Sequence, residues 1–277
     1  MKPYKTILLS LLILPLPLLL GSCEKEEEIE NTRWVLVWSD EFDTPTPDNR
    51  PDPSKWTYEK GASGYGNQEL QNYTDRVENA SYTTHKGLGC LKITALNDNY
   101  DGVAYSSARI KTEGLFEQRY GRFEARLKLP YGPGLWPAFW MLGANYATDV
   151  WPKCGEIDIM ENVGYDPDTI VGSSHTEKYN HAIGTQKNAK IACPDCYKAF
   201  HVYALEWEED EYRLYVDDQL YFTFKNEGTG YEVWPYDKRF HILLNLAIGG
   251  NWGGQKGIDD SLFPHVFEID CVRVYKK

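Results

Sequence analysis

Three carboxylates inside one apolar stretch constrain the fold of this chain more than any other feature. The run 155–162, GEIDIMEN, holds Glu156, Asp158 and Glu161 within six residues. Side chains of a β-strand alternate between two faces, so the first two acids share a face and the isoleucines point into a core. Glu161 joins that face only if one extra residue, a β-bulge near Met160, interrupts the alternation. The same spacing does not line one side of a helix, so the run predicts a bulged strand.

Closely spaced acids of this kind suit glycoside hydrolysis. Three acids on one sheet face repel one another and raise the pKa of at least one of them, so an acid and a base can coexist. Retaining glycosidases need two carboxyl groups roughly 5–5.5 Å apart, one to attack the anomeric carbon and one to protonate the leaving oxygen. Side chains that rise from one strand can meet that distance, and a middle Asp would tune its neighbours. A solvated acidic edge is the plainer alternative, but the Ile and Met residues between the acids argue against it.

The same run resembles a family signature. GEIDIME at 155–161 is similar to the motif of glycoside hydrolase family 16, in the bulged form (ExDxxE) typical of laminarinase-like members. In that family the first Glu is the nucleophile, the last is the acid/base and the Asp is their partner, which by position implies Glu156, Glu161 and Asp158. Further similar segments follow in family order along nearly the whole mature chain: WSDEF at 38–42, YGNQE at 65–69, SARI at 107–110, LWPAFWM at 135–141, GGNWG at 249–253 and IDCVRVY at 269–275.

The resemblance also implies a set of substrate contacts. Aromatic rings stack on the apolar faces of sugars, and polar side chains bind the hydroxyls. The residues at matching positions are Asn67, Arg109, Trp136, Trp140, His175, Asn251 and Trp252. Three of them also have a structural interpretation: Trp140 could belong to the core, Arg109 could form a salt bridge, and His175, which the family often places facing the acid/base, could be a structural histidine.

The resemblance implies a metal ion only at a structural site, away from the catalytic residues. The family needs no cofactor for catalysis and often binds one structural Ca²⁺ ion on the convex face. The implied ligands are Glu41, the carbonyl of Gly87 and Asp270. Hard oxygen ligands fit Ca²⁺, but so few carboxylates predict a modest site.

The rest of the sequence is typical of antiparallel β structure. Phe123, Ala125, Leu127 and Leu129 alternate with polar residues, as in a strand with one face in water. Further strands are predicted at 201–207, 211–216, 219–224 and 240–248. Many strands without a periodic helix predict an all-β jelly-roll sandwich of two antiparallel sheets. The resemblance implies a concanavalin A-like form with the catalytic cleft on the concave sheet, in one domain over 34–277.

The N-terminus has the pattern of a targeting segment. Lys2 and Lys5 precede an apolar run at 7–20, which is short for a membrane span of about twenty residues. LGSC ending at Cys23 resembles a bacterial lipobox, so we expect a lipoprotein signal peptide over 1–22 and lipidation of Cys23. An ordinary cleaved signal peptide with a chance cysteine is the alternative. The charged segment 23–33 is predicted to be a solvated tether. Its acidic start resembles a surface-export signal, which would place the protein on the outer membrane, facing outwards.

Five further cysteines follow: Cys90, Cys154, Cys193, Cys196 and Cys271. An oxidising compartment permits disulfides, and an odd number leaves at least one thiol free. Cys154 could pair with Cys196 or remain a buried thiol. The CPDC run at 193–196 has metal or redox spacing, but the sequence shows no second pair and no His cluster to support either role.

Charge and motif together predict the function class. A net charge of −12 argues against nucleic acid as a partner. The resemblance implies a monomeric, retaining endo-β-glycosidase acting on β-1,3-glucan (laminarin) or mixed-linkage β-1,3-1,4-glucan. Because the segment 174–181 departs from the plainer loop of many laminarinases, an endo-β-galactosidase acting on mucin O-glycans or a related galactan is the alternative. A non-catalytic surface glycan-binding protein is a more distant alternative, since such a protein would have no reason to keep Glu156 and Glu161 side by side.

Overall fold

The computed structural model describes residues 34–277 of the chain. The predicted signal peptide (1–22), the tether (23–33) and the lipidation site Cys23 lie outside the described residues. Among residues 34–277, no helix is long and apolar enough to cross a membrane.

Nearly all regular structure in the described part of the chain is β-strand, with two 3₁₀ turns at His181–Ile183 and Asp260–Leu262. The strands are β1 Val35–Asp40, β2 Thr57–Glu59, β3 Gln71–Tyr73, β4 Ala80–His85, β5 Leu88–Tyr100, β6 Val103–Ser107, β7 Arg109–Lys111, β8 Gly121–Lys128, β9 Leu135–Gly143, β10 Glu156–Val163, β11 Asp166–His175, β12 Lys187–Ala192, β13 His201–Trp207, β14 Glu211–Val216, β15 Gln219–Lys225, β16 Phe240–Ile248 and β17 His265–Lys276.

The strands form two sheets. The ten-stranded sheet runs β15-β14-β13-β8-β17-β5-β6-β3, with β1 beside β17 and β4 beside β5, and the seven-stranded sheet runs β12-β11-β10-β9-β16-β7-β2. The all-β sandwich predicted from the sequence is confirmed. One detail differs from two purely antiparallel sheets, because β3 pairs with β6 in parallel.

The core lies between the two sheets and follows from side-chain alternation. Along β8, Phe123, Ala125 and Leu127 are fully buried while the residues between them are partly exposed. Burying each large apolar side chain contributes about 1.5–3 kcal/mol. Every residue of β16 is buried, as a strand covered on both faces requires.

The acidic run forms an interior strand of the seven-stranded sheet. It forms β10, which pairs with β9 on one side and β11 on the other. Ile157 and Ile159 are fully buried in the core. The side chains of Glu156 and Asp158, which alternate with them, therefore rise from the opposite, open face of the sheet.

The cysteines of the described residues are free and buried. Cys154 and Cys196 do not form a disulfide, which leaves the second of the two sequence-based alternatives, the buried thiol. No disulfide links any part of 34–277.

Candidate active site

The register of β10 determines which acids share the open face. Asp158 pairs with Trp140 of β9, whereas Met160 pairs with Phe139, so two steps along β10 match one step along β9. This register shift restores Glu161 to the face that carries Glu156 and Asp158. All three side chains line one cavity.

Neighbouring strands fix the acids in place. The indole N–H of Trp136, on β9, donates to Oε1 of Glu161 at 2.9 Å. Nε2 of His175, on β11, lies 3.2 Å from Oδ2 of Asp158 and 3.7 Å from Oε1 of Glu156. His175 therefore faces Glu156 and Asp158 more directly than Glu161, in contrast to the family position implied by the sequence.

Burial changes the electrostatics of all three acids. Desolvation raises the pKa of Glu156, of Asp158 and of Glu161 to about 8 in each case, and the charge of Asp158 adds to the rise for both glutamates. Groups this close lose their protons as a coupled set. The set can hold one carboxyl protonated while another is ionised near neutral pH, which is the condition for an acid and a nucleophile to act together.

Two cavities meet at the acids. One, of about 260 Å³, contains all three carboxylates and extends along Trp140 and Arg109. The other, of about 370 Å³, extends towards Asn251 and Trp252. Glu156 and Glu161 line both. An extended ligand that filled both cavities would cross the acids at its middle.

The predicted tryptophans lie on this open face. Trp136 and Trp252 pack edge to face with ring centroids 5.3 Å apart. Trp140 does not belong to the core, since it lines the first cavity and its indole N–H donates to Oδ1 of Asn245 at 2.7 Å. Its neighbours Phe139 and Met141 point to the core instead.

The two predicted asparagines are brought together by the backbone. The N–H of Asn251 donates to the carbonyl oxygen of Asn67 at 2.7 Å. Both residues line the second cavity, where their side-chain amides offer donors and acceptors to a ligand.

Arg109 combines the two roles that the sequence left open. It is 8% exposed and lies 3.6 Å from carboxylate oxygens of Glu59 and of Glu69. Its guanidinium also packs over the ring of Tyr65 at 4.4 Å. Because Arg109 lines the first cavity as well, it both pairs with the two acids, of which Glu69 is buried, and offers donors to a ligand.

The polar and aromatic cavity residues that the sequence did not identify include Tyr65, Glu69, Trp151 and His181. Two of them fall inside the segment 65–69, whose resemblance to the family was a usable signal. His181 packs against Trp151 at 4.9 Å and against His175 at 5.2 Å. Only the folded chain brings these three rings together.

The implied Ca²⁺ ligands do not form a preformed binding site, because both carboxylates are already paired with arginine side chains. The Glu41 carboxylate is bound by the guanidinium of Arg273, at 2.7 Å for the shortest contact, and Asp270 lies 2.9 Å from Arg126. Gly87 lies in the turn between β4 and β5 with a φ of 86°. A cation at this place would have to compete with two guanidinium groups for its carboxylate ligands.

Comparisons with known proteins agree with this geometry. A beta-glucanase from Rhodothermus marinus is 49% identical over 251 residues, which cover 88% of this chain and 85% of that protein. The X-ray structure of the laminarinase from Rhodothermus marinus has a TM-score of 0.83 at 47% identity, and the match covers 89% of this chain and 98% of that one. The crystal structure of laminarinase from Flavobacterium sp. UMI-01 has a TM-score of 0.78 at 40% identity, covering 87% and 100% of the two chains.

A family model gives the same assignment over most of the chain. Residues 54–262 match the family described as Glycosyl hydrolases family 16. The matched range includes β10 and the strands on either side of it. The chain therefore belongs to glycosyl hydrolases family 16.

Proposed function

We propose that this protein is a retaining endo-β-1,3-glucanase of the laminarinase-like type. The observation that carries the proposal is the placement of two glutamates, the partly buried Glu156 and the buried Glu161, on one strand where two cavities meet. The beta-glucanase and laminarinase relatives support β-1,3-glucan as the substrate class. The register shift between Asp158 and Met160 supports assignment to the bulged, laminarinase-like form.

The mechanism follows from the two acids. Glu156 attacks the anomeric carbon with a carboxylate oxygen while Glu161 gives its proton to the glycosidic oxygen, so the carbon–oxygen bond breaks and the leaving chain departs as an alcohol. Glu161, now ionised, then removes a proton from water, whose oxygen displaces Glu156 from the same carbon. Each displacement inverts the configuration at the anomeric carbon, so the two displacements together retain it.

Asp158 and His175 set the protonation of this pair. Asp158 is 3% exposed, and its charge, when it is ionised, favours a protonated Glu161. His175 lies within 3.7 Å of both Glu156 and Asp158 and offers a compensating donor to whichever is ionised. We infer that these two residues position and tune the catalytic glutamates without bonding to the sugar carbon.

Hydrolysis of laminarin tests the reaction type. We expect mixed oligosaccharides as early products, because a chain can lie across both cavities with the acids at its middle. Proton NMR during the first minutes should show the β-anomer at the new reducing end. An initial α-anomer would exclude double displacement, and release of monosaccharide alone would exclude internal cleavage.

The same assay decides between substrate classes. Lichenan, agarose, keratan and mucin should be compared with laminarin at equal mass concentration. We expect the largest kcat/KM on laminarin or lichenan. Turnover of keratan or mucin alone would show that the substrate is a galactose-containing glycan and not a glucan. Binding of these polysaccharides without turnover of any of them would favour the glycan-binding alternative.

For the location, we propose a lipid anchor at Cys23 on the outer membrane, with the catalytic domain outside the cell. The support is the sequence pattern of the leader and tether. A diacylglycerol plus an N-acyl chain supplies the several buried chains that stable anchoring needs. We also expect a monomer, which gel filtration in detergent would check.

Replacement of Cys23 tests the anchor. The wild type should partition into the detergent phase, whereas Cys23→Ala should not. Protease added to intact cells should remove the wild-type enzyme. A membrane-bound wild type that resists protease would face the periplasm, and a wild type in the aqueous phase would contradict the anchor altogether.

A bound Ca²⁺ ion stays a prediction of the family resemblance. The ion pairs of Glu41 with Arg273 and of Asp270 with Arg126 argue for weak binding at most. The catalytic steps above do not depend on it.

A further inference from the structure

A second cluster of reactive side chains lies away from the cleft, where the chain leaves the seven-stranded sheet for the ten-stranded one. Cys193, Asp195 and Cys196 belong to the turn between β12 and β13, and His201 is the first residue of β13. The Cys193 Sγ, an Asp195 carboxylate oxygen and a His201 ring nitrogen all lie within 4.8 Å of one another. No His cluster accompanies the CPDC run in the sequence, but the fold places His201 beside it.

His201 is oriented as a metal-binding histidine is. Its Nδ1 is hydrogen-bonded to the carboxylate of Asp217, in the turn between β14 and β15, and Oδ1 of that carboxylate accepts from the N–H of Val202 at 2.8 Å. A carboxylate partner on one ring nitrogen fixes the proton there and leaves a lone pair on the other. That other nitrogen, Nε2, is buried and makes no hydrogen bond, although an Asp195 oxygen lies 3.2 Å away.

Cys196, three residues after Cys193 in the same turn, offers a second sulfur beside this three-residue cluster. Cys193 is 4% exposed and Cys196 is fully buried. The Cys196 thiol donates to the carbonyl oxygen of Pro167 at 3.1 Å and would turn away from it to bind an ion.

The turn that holds the ligands is anchored to both sheets. The N–H of Cys193 donates to the carbonyl of Asp168 at 2.7 Å, and the carbonyl of Cys196 accepts from Leu129 at 2.9 Å. Zn²⁺ bonds of about 2.0–2.3 Å in a tetrahedron hold ligand atoms roughly 3.3–3.8 Å apart. The Cys193, Asp195 and His201 ligand atoms therefore need to contract only modestly around an ion, whereas the Cys196 thiol must also rotate away from the Pro167 carbonyl.

We propose that Cys193, Cys196, Asp195 and His201 form a structural zinc site that joins the two sheets at this edge of the sandwich, with Asp217 as the residue that orients His201. Both thiols release their protons to solvent when the ion binds, so that two thiolates, one carboxylate and one neutral imidazole surround it. The set is closed by four protein ligands, as structural sites are. It has no part in the hydrolysis proposed above.

Metal binding by the reduced protein tests the proposal directly. The wild type, freed of metal and kept reduced, should take one Zn²⁺ per chain from a chromophoric chelator and release protons as it does so. Co²⁺ in its place should give a thiolate-to-cobalt charge-transfer band. Zn²⁺ at a hundredfold excess over its Kd should raise the Tm by roughly 5 °C or more.

Variants separate this site from adventitious binding. Cys193→Ser and His201→Gln should lose the cobalt band, and Asp217→Asn should weaken zinc binding by about 10- to 100-fold. Cys90→Ser removes another buried thiol, from β5, and should bind as the wild type does. Equal binding by the Cys193 and Cys90 variants would overturn the proposal.

Wild-type measurements keep the proposal falsifiable if the variants fail to fold. A reduced wild type that takes no zinc from the chelator would contradict it. A Cys193–Cys196 disulfide in peptide maps of protein isolated from cells would contradict it as well, because those sulfurs would then be unable to bind an ion.

Discussion

Replacing Glu156 with Ala should abolish turnover of laminarin, with kcat falling on the order of 10⁵- to 10⁶-fold, as when a covalent nucleophile is lost. The reason is that no other side chain on the open face of β10 can take its place: Asp158 is 3% exposed and Glu161 is held by Trp136. Azide can enter the space left by the missing carboxylate and attack the anomeric carbon once. Activity should therefore return in part, with the α-glycosyl azide as the product of a single inversion.

A matched variant controls for general damage. Glu206 is a strand glutamate on the ten-stranded sheet, paired with Arg122 and Arg213. Glu206→Gln should keep wild-type kcat. If azide rescues the Glu156 variant with the β-glycosyl azide instead, the roles assigned to the two catalytic glutamates are reversed.

The same variant should not lose stability. Burial raises the pKa of Glu156 from 4.5 to about 8, so the ionised carboxylate is disfavoured in the folded state. This penalty is absent below the unfolded-state value, grows as the pH rises through the window from 4.5 to about 8, and is complete above it. The Tm of Glu156→Ala should therefore rise relative to the wild type across that window, whereas a lower Tm would mean that the side chain has a structural role.

The sequence predicts most of the fold because alternation is a local signal. The predicted strands at 201–207, 211–216 and 240–248 match β13, β14 and β16 in both bounds, and 219–224 matches β15 within one residue. The parallel pairing of β3 with β6 was not predictable in this way. Gln71–Tyr73 is short and buried throughout, so no alternation marks a face, and its partner lies some thirty residues on.

The acids of the candidate site share one strand and could be placed from spacing alone. Their surroundings could not, because each contact joins residues distant in the sequence. His175 meets Asp158 only through the register of β11 on β10, and Glu69 meets Arg109 only through folding of the loop that contains it. The pairing of His201 with Cys193 depends in the same way on how the turn between β12 and β13 closes.

Replacing Glu161 with Ala should produce a different failure from loss of the nucleophile. Glycosylation of Glu156 needs a proton on the leaving oxygen only when the leaving group is a poor one. We therefore expect kcat on laminarin to fall by about 10²- to 10⁴-fold, the usual contribution of a general acid. An aryl glycoside whose phenol leaves without a proton should still react with Glu156, so that substrate should show a burst followed by slow turnover.

The stereochemistry of the azide product distinguishes the Glu161 variant from the Glu156 variant. The glycosyl-Glu156 ester accumulates because Glu161 is no longer present to activate water, and azide needs no such base. Its attack is the second inversion at the same carbon, so the product should be the β-glycosyl azide and turnover of the aryl glycoside should rise. Trp136→Phe offers a milder comparison, since it removes the N–H that holds Oε1 of Glu161 at 2.9 Å, together with part of the ring that packs against Trp252, and leaves the Glu161 carboxyl in place. A Glu161 variant that loses aryl glycoside and laminarin turnover equally, with no burst and no response to azide, would show that Glu161 is not the acid/base.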